Sequence, residues 1–455
     1  MNGRDFRKLL PPVGMLLLGV TGIATTRGVA FWLAGGLVGA GLVVGVRSVL
    51  RISGASSRGR GSEVLLRAAL LLGSTLFGLA VFEAWLALME VEVPPVLFEA
   101  PAAGVPVPEK MRSEVIFAGP GEADSLEVEM PASVRRKAEI MQSARTMPIA
   151  WEHRWIRKVK GEPYRFRWQG VVHVYDTDKI RKDGPFPPRD PERIRIIAVG
   201  DSFTYGKAIA GFWAYPAQLE RALEMDFEVE VLNLGSPGLA SADILEILHR
   251  YLPELDPDIV FYGVCLNDFQ PSGYAPPKSW VVPIPRNVEK FIIRRSRVGR
   301  FLAGRYDRLL LELGLRNDFY TDLLVDFESR SERFGRDVAA MNAFVTEKGL
   351  PPVVSMVLNH DITGDERNRR LVSVAESRLR AAGMAVIGSE PFSRTFAGRN
   401  FAVSRWDWHS NEEANAIWAK ILWQHFRDRP ELALHPRLRA TSAERRAGPT
   451  LQGRL

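Results

Sequence analysis

A serine, two glycines, an asparagine and a histidine stand in this 455-residue chain where the backbone leaves apolar, strand-like runs or meets the start of a helix. The stretch "RIIAVGDSFTYG" (195–206) passes from Ile196-Ile197-Ala198-Val199 directly into Gly200-Asp201-Ser202. A hydroxyl at the end of a core strand, opening a helix, stands at the carboxyl edge of a parallel sheet. The N–H groups of the next turn and the positive end of the helix face the same spot, so an oxyanion forming there meets donors. Nucleophilic catalysis needs that arrangement, although Gly-Asp-Ser by itself also makes ordinary turns.

Three further stretches add to it. In "VLNLGSPGLAS" (231–241), Gly235 and Gly238 bracket a tight turn where backbone N–H groups can approach a substrate with no Cβ in the way. In "VFYGVCLNDFQ" (260–270), Asn267 lies just past a strand end, where its amide either caps a turn or offers an N–H to an oxyanion. In "SRWDWHSNEEANAIWAKIL" (404–422), His409 follows Asp407 by two residues and precedes a helix that Ser410 or Asn411 would cap. A histidine there can take the serine's proton, and a carboxylate beside it can fix its tautomer. Of seven histidines, His409 alone has a carboxylate just before it and a helix start just after it; His360, in "LNHDIT", is the alternative base.

The elements that must position these residues are legible from periodicity. From Arg193 onward, apolar strands alternate with helical segments, the sequence form of a parallel sheet covered on both faces. Strands are expected at Arg195–Val199, Glu228–Leu232, Ile259–Val264, Val353–Leu358 and Met384–Ile387. Helices are expected at Trp213–Met225, Ala242–Leu252, Arg333–Lys348, Asp365–Ala382 and Asn411–Phe426. An insertion at 271–326, with the basic and aromatic run "VEKFIIRRSRVGRFLAGRY", reads as a cap over the site, a helix lying on anionic lipid, or a solvated helix packed on the core. Upstream, "YRFRWQGVVHVYDTD" alternates as one or two strands.

The four stretches, in this order, resemble the four blocks of the SGNH (GDSL-type) hydrolase superfamily over about residues 193–426. The resemblance implies an α/β fold, a flavodoxin-like three-layer sandwich around a central parallel sheet. It implies Ser202 as nucleophile and as a donor through its own N–H. It also implies Gly238 in the oxyanion hole, five residues after Asn233, with Asn267 as the third donor, His409 as general base and Asp407 as its orienting acid. Many members carry the aspartate three residues before the histidine, where this chain has Trp406. A two-residue spacing occurs in relatives that act on exopolysaccharides. Ser410 also departs from the proline that often follows the histidine. The implied activity is acyl transfer through an acyl-enzyme: an esterase acting on an acylated carbohydrate, lipid or small ester. An O-acyltransferase modifying a surface polysaccharide and a catalytically silent glycan-binding or scaffold protein are the alternatives. No cofactor or metal is expected, since the single cysteine, Cys265, and the scattered histidines offer no ligand cluster.

Composition bounds the rest. With 46% hydrophobic and 25% charged residues the bulk is globular, and one cysteine excludes an internal disulfide framework. The net charge of +7 is carried by arginines that flank apolar runs or crowd the tail, without an aromatic-basic module, so a nucleic-acid partner is not expected. Leu9–Thr26 and Gly28–Val46 are free of charged side chains apart from the Arg27 between them, and a third apolar run spans Val64–Val91. Each is long enough for roughly 30 Å of hydrocarbon. Arg4, Arg7 and Lys8 before the first run, and Arg47, Arg51, Arg58, Arg60 and Arg67 before the third, place those ends in the cytoplasm. Three crossings of the cytoplasmic membrane then put the catalytic domain outside. The expected organisation is an anchor at 1–92, a Pro-rich spacer with a small β-containing subdomain at 93–190, the hydrolase domain at 191–430, and a basic tail at 431–455.

Overall fold

The computed structural model describes residues 44, 60–89, 128–143, 155–156, 164–168, 171–175, 180–182, 185–225, 227–274, 296–360, 365–389, 393, 395–396, 398–405 and 407–428. Apart from Val44, the first two apolar runs lie outside these residues, as do the Pro-rich stretch 92–120 and the tail 431–455. The first elements are α1 (Arg60–Met89), α2 (Ala132–Ser143), β1 (Trp155–Ile156), β2 (Tyr164–Trp168) and β3 (Val171–Tyr175). Then follow β4 (Ile194–Gly200), α3 (Ser202–Tyr205), α4 (Tyr215–Leu223), β5 (Val229–Asn233), α5 (Ser241–Leu255) and β6 (Ile259–Val264). The next are α6 (Arg297–Glu312), α7 (Phe319–Leu324), α8 (Phe327–Glu347), β7 (Val354–Val357), α9 (Glu366–Ala381) and β8 (Ala385–Ile387). A short hairpin, β9 (Ala402–Ser404) and β10 (Asp407–Ser410), leads into α10 (Glu412–Asp428).

The chain divides into two compact units, one of residues 1–91, 145–148 and 277–316, the other of the remainder. The larger unit holds a five-stranded, all-parallel sheet in the order β5-β4-β6-β7-β8. All seven residues of β4 are buried, as the continuous apolar run requires of a strand with neighbours on both edges and helices on both faces. Alternate side chains serve opposite layers. Ile194, Ile196 and Ala198 pack with Tyr215 and Leu219 of α4 and Ile417 and Trp418 of α10. Ile197 and Val199 pack with Leu248 of α5, Val338 of α8 and Leu371 of α9. The result is the three-layer α/β sandwich expected from the alternation of strands and helices.

The one charged residue on β4, Arg195, is buried and matched. Its Nε donates to Glu230 Oε1 at 2.7 Å, and its terminal nitrogens donate to the carbonyls of Leu255, Pro187 and Pro188. Residues upstream of the sheet join the same unit. Val134 and Met141 of α2 and Val171 of β3 share a buried cluster with Ile209, Trp213 and Val403. Within the alternating run at 164–178, residues 164–168 and 171–175 form two strands, β2 and β3, paired antiparallel.

The smaller unit contains α1 and α6. Within α1, residues 71–89 are long and apolar enough to cross a membrane, by length and composition.

Candidate active site

The chemistry gathers where strands β4 to β7 end. Ser202 follows β4 directly and opens the single turn α3. Asp201 caps that turn, its Oδ1 accepting from Phe203 N at 2.9 Å, which holds the Ser202 backbone at the strand-to-helix corner. The far end of the turn is tied by Arg181, whose guanidinium donates to the carbonyls of Tyr205, Gly206 and Ile209 at 2.6–2.8 Å. Nothing in the local sequence around Arg181 signals this, because its partners lie more than twenty residues ahead.

The β5 turn is pressed against α3. Asn233 donates through Nδ2 to the Thr204 carbonyl at 2.9 Å and accepts from Gly235 N at 2.9 Å. A Cβ on Gly235 would lie 2.3 Å from the Tyr205 nitrogen, so this close approach admits only glycine. Gly238 has φ +81°, with open space where a Cβ would project. The next residue, Leu239, has a carbonyl that accepts from Asn267 Nδ2 at 3.3 Å. The structure thereby joins the Gly238 turn to Asn267.

Asn267 itself lies in the 3₁₀ turn Leu266–Phe269 after β6. Asp268 shapes that turn, its Oδ2 accepting from Cys265 N at 3.0 Å and from the Tyr262 hydroxyl at 2.6 Å. Burial pushes the Asp268 carboxyl well above the usual carboxylate range, with the nearby Asp201 charge adding to it. Burial likewise pushes the Cys265 thiol up, which makes it an inert packing residue. Sequence reading passes over Asp268, although an acid directly after Asn267 in "LND" is the available signal.

His409 arrives on β10. Its Nε2 lies 3.0 Å from Ser202 Oγ, and its Nδ1 lies 2.5 Å from Asp407 Oδ1, which also accepts from His409 N at 3.2 Å. The two-residue spacing has a structural reason. On a strand, positions i and i+2 face the same side, so Asp407 and His409 point together while Trp408 does not. Trp408 is 57% exposed, and its carbonyl accepts from His360 Nε2 at 2.8 Å. Of the two candidate bases, His409 therefore meets the serine, and His360 braces the strand that carries it. The Phe203 ring stacks at 6.2 Å on His360 and lies 5.6 Å from the His409 ring. Asn411 caps the helix that follows, accepting from Ala414 N at 3.0 Å.

Ser202 is buried, while Asp407 and His409 are part-buried, with side-chain exposures of 9% and 20%. Asp201 is a second neighbour of the serine, its Oδ2 accepting from Ser202 Oγ at 3.0 Å. Burial raises the Asp201 carboxyl, opposed by the Phe203 N–H, by His409 and by the Ser202 hydroxyl. Among the described residues no cluster of histidine, cysteine or acidic side chains is arranged to hold a metal ion.

No family model matches the chain, and no curated protein matches it. Among solved structures the chain is similar to TesA, at 15% identity and a TM-score of 0.33 over 51% of this chain and 97% of that one. It is also similar to a lipolytic protein of the G-D-S-L family from Veillonella parvula, at 14% identity and 0.33, covering 52% of this chain and 100% of that one. A third is an acetylxylan esterase from Geobacillus stearothermophilus, at 12% identity and 0.32, covering 50% and 92%.

Proposed function

We propose that the chain is a serine esterase of the SGNH (GDSL) type, cleaving acyl esters through an acyl-enzyme, with its catalytic domain held at the outer face of the cytoplasmic membrane. The observation that carries this reading is the relay from Ser202 Oγ to His409 Nε2 at 3.0 Å and from His409 Nδ1 to Asp407 at 2.5 Å. With Nδ1–H donated to Asp407, Nε2 is left as an acceptor, the tautomer a general base requires.

In the first half-reaction His409 takes the Ser202 proton as Oγ attacks the ester carbonyl. The carbonyl oxygen gains charge between the N–H groups of Ser202 and Gly238 and the amide of Asn267. Leu239 engages one N–H of that amide, which leaves its second N–H for the oxyanion. Collapse of the tetrahedral adduct expels the alcohol, protonated by His409, and leaves the acyl group on Ser202. Water activated by the same imidazole then attacks the acyl-enzyme, and the acid departs as Oγ recovers its proton. Asp407 keeps its charge throughout and stabilises the imidazolium.

Purified full-length protein in detergent should hydrolyse p-nitrophenyl acetate, and Ser202→Ala should abolish turnover with an unchanged circular dichroism spectrum. An organophosphonate ester should add one phosphonyl mass to the wild type and none to the variant. A Ser202→Ala protein that keeps the wild-type rate would end the proposal.

A further inference from the structure

Glu83 lies within α1, toward the end of the segment long enough to cross a membrane, and its side chain has 0% exposure. The carboxyl is taken up by the start of α6. It accepts from Ser296 Oγ at 2.7 Å, Arg297 N at 2.7 Å and Val298 N at 2.9 Å, and Arg297 Nη1 stands 3.8 Å away. A negative side chain against the free N–H groups of a helix start is matched in both hydrogen bonding and dipole. Phe82, the preceding residue, meets Phe301 of α6 edge to face at 5.4 Å and stacks on Trp85 at 5.6 Å. The acid in this otherwise apolar run thus fastens α6, from an insertion more than two hundred residues later, to the level of a tryptophan of the kind that seats at a membrane interface.

The rest of α6 suits that position. Leu302 and Leu309 of α6 and Leu313, the residue that caps its end, are 48%, 49% and 61% exposed, and their spacings of seven and four place them on one stripe. The segment 296–316 carries Arg297, Arg300, Arg305, Arg308 and Arg316 against Asp307 and Glu312. Arg305 lies over the Phe301 ring at 5.2 Å, with Arg305 and Arg308 exposed. An apolar stripe with arginines beside it fits the boundary between acyl chains and anionic headgroups.

We infer that α6 is a second membrane-contacting element, lying on the outer leaflet with Leu302, Leu309 and Leu313 in the acyl boundary, and clamped to the spanning helix α1 through Glu83. The inference rests on the membrane placement proposed for α1. Single variants Leu302→Cys, Leu309→Cys and Leu313→Cys of the full-length chain, labelled with bimane, test it in vesicles of phosphatidylcholine and phosphatidylglycerol. Cys265 is buried, so unsubstituted protein serves as the unlabelled control. Val81→Cys, exposed on α1, reports the spanning helix, and Met225→Cys, exposed on the other unit, reports water.

The expected result is blue-shifted emission at all three leucine sites, quenched by doxyl-lipid and shielded from iodide. Iodide quenching at those sites comparable to Met225→Cys, with Val81→Cys still lipid-quenched, overturns the seating of α6 alone. Loss of lipid quenching at Val81→Cys as well removes the membrane placement and the inference with it. Protection from both quenchers would show protein covering the stripe, a second copy or another chain, and also overturns it.

Discussion

Two groups compete for the Ser202 proton. Asp201 Oδ2 and His409 Nε2 each lie 3.0 Å from Oγ, and a hydroxyl donates to one at a time. Asp201 also caps α3, so Asp201→Ala removes the acceptor for Phe203 N and should cost about 1 kcal/mol in a denaturant melt. Asp201→Asn keeps that acceptor and should retain most of the stability. Asp407→Asn keeps the shape of its side chain but turns a donor toward Nδ1, which favours the wrong histidine tautomer. It should lower kcat by about 10⁴-fold with KM little changed, as in Ser-His-Asp proteases. Asn267→Ala removes the amide proposed as an oxyanion donor, and steady-state kinetics should show a kcat loss of about 10²–10³-fold. A loss below tenfold would place Asn267 outside the oxyanion site.

At the scale of elements, side chains of α2 and α4 hold the β9–β10 hairpin, the start of α10 and the sheet edge. Lys137 of α2 pairs with Glu412, both nearly inaccessible, while Gln142 donates to the Ala402 carbonyl and accepts from Asn400. Lys137→Met strands a buried carboxylate and should cost about 3–5 kcal/mol, most of it regained when Glu412→Gln is added. The second case is Glu220 of α4, which accepts from Val231 N at 2.6 Å. Because β5 is the edge of the sheet, that N–H has no strand partner. Burial pushes the Glu220 carboxyl from the ordinary 4.5 up to about 7. The folded state therefore binds the proton more tightly than the unfolded chain, and this contribution to stability is lost as pH rises from about 4.5 to 7. Chemical denaturation across that range should show a decline in wild type that Glu220→Gln flattens, since the amide oxygen still accepts from Val231.

For the whole molecule, the arginine asymmetry around the apolar runs predicts sidedness. Alkaline phosphatase fused after residue 95 should be active in cells, and an inactive fusion would put the catalytic domain on the cytoplasmic side. Much of the larger unit is legible along the chain: Ile259–Val264 coincides with β6, and the other four predicted strands differ from β4, β5, β7 and β8 by at most one residue at each end. A core strand writes itself as an unbroken apolar run, and a helix as a 3.6-residue period, so local pattern determines both. Ser202, Asn267 and His409 stand out as candidates for a related reason, each within three residues of a predicted strand end or helix start, whereas Gly238 is singled out by the family resemblance. What one dimension does not record is partnership across distance. Only the tertiary structure chooses between His409 and His360, turns the short Asp407–His409 spacing into a shared strand face, and sets Arg181 on the end of α3. It alone carries Glu83 to the start of a helix two hundred residues away. Hydrophobic periodicity is a property of neighbours in sequence, whereas a single polar contact depends on where the folded backbone brings two distant side chains.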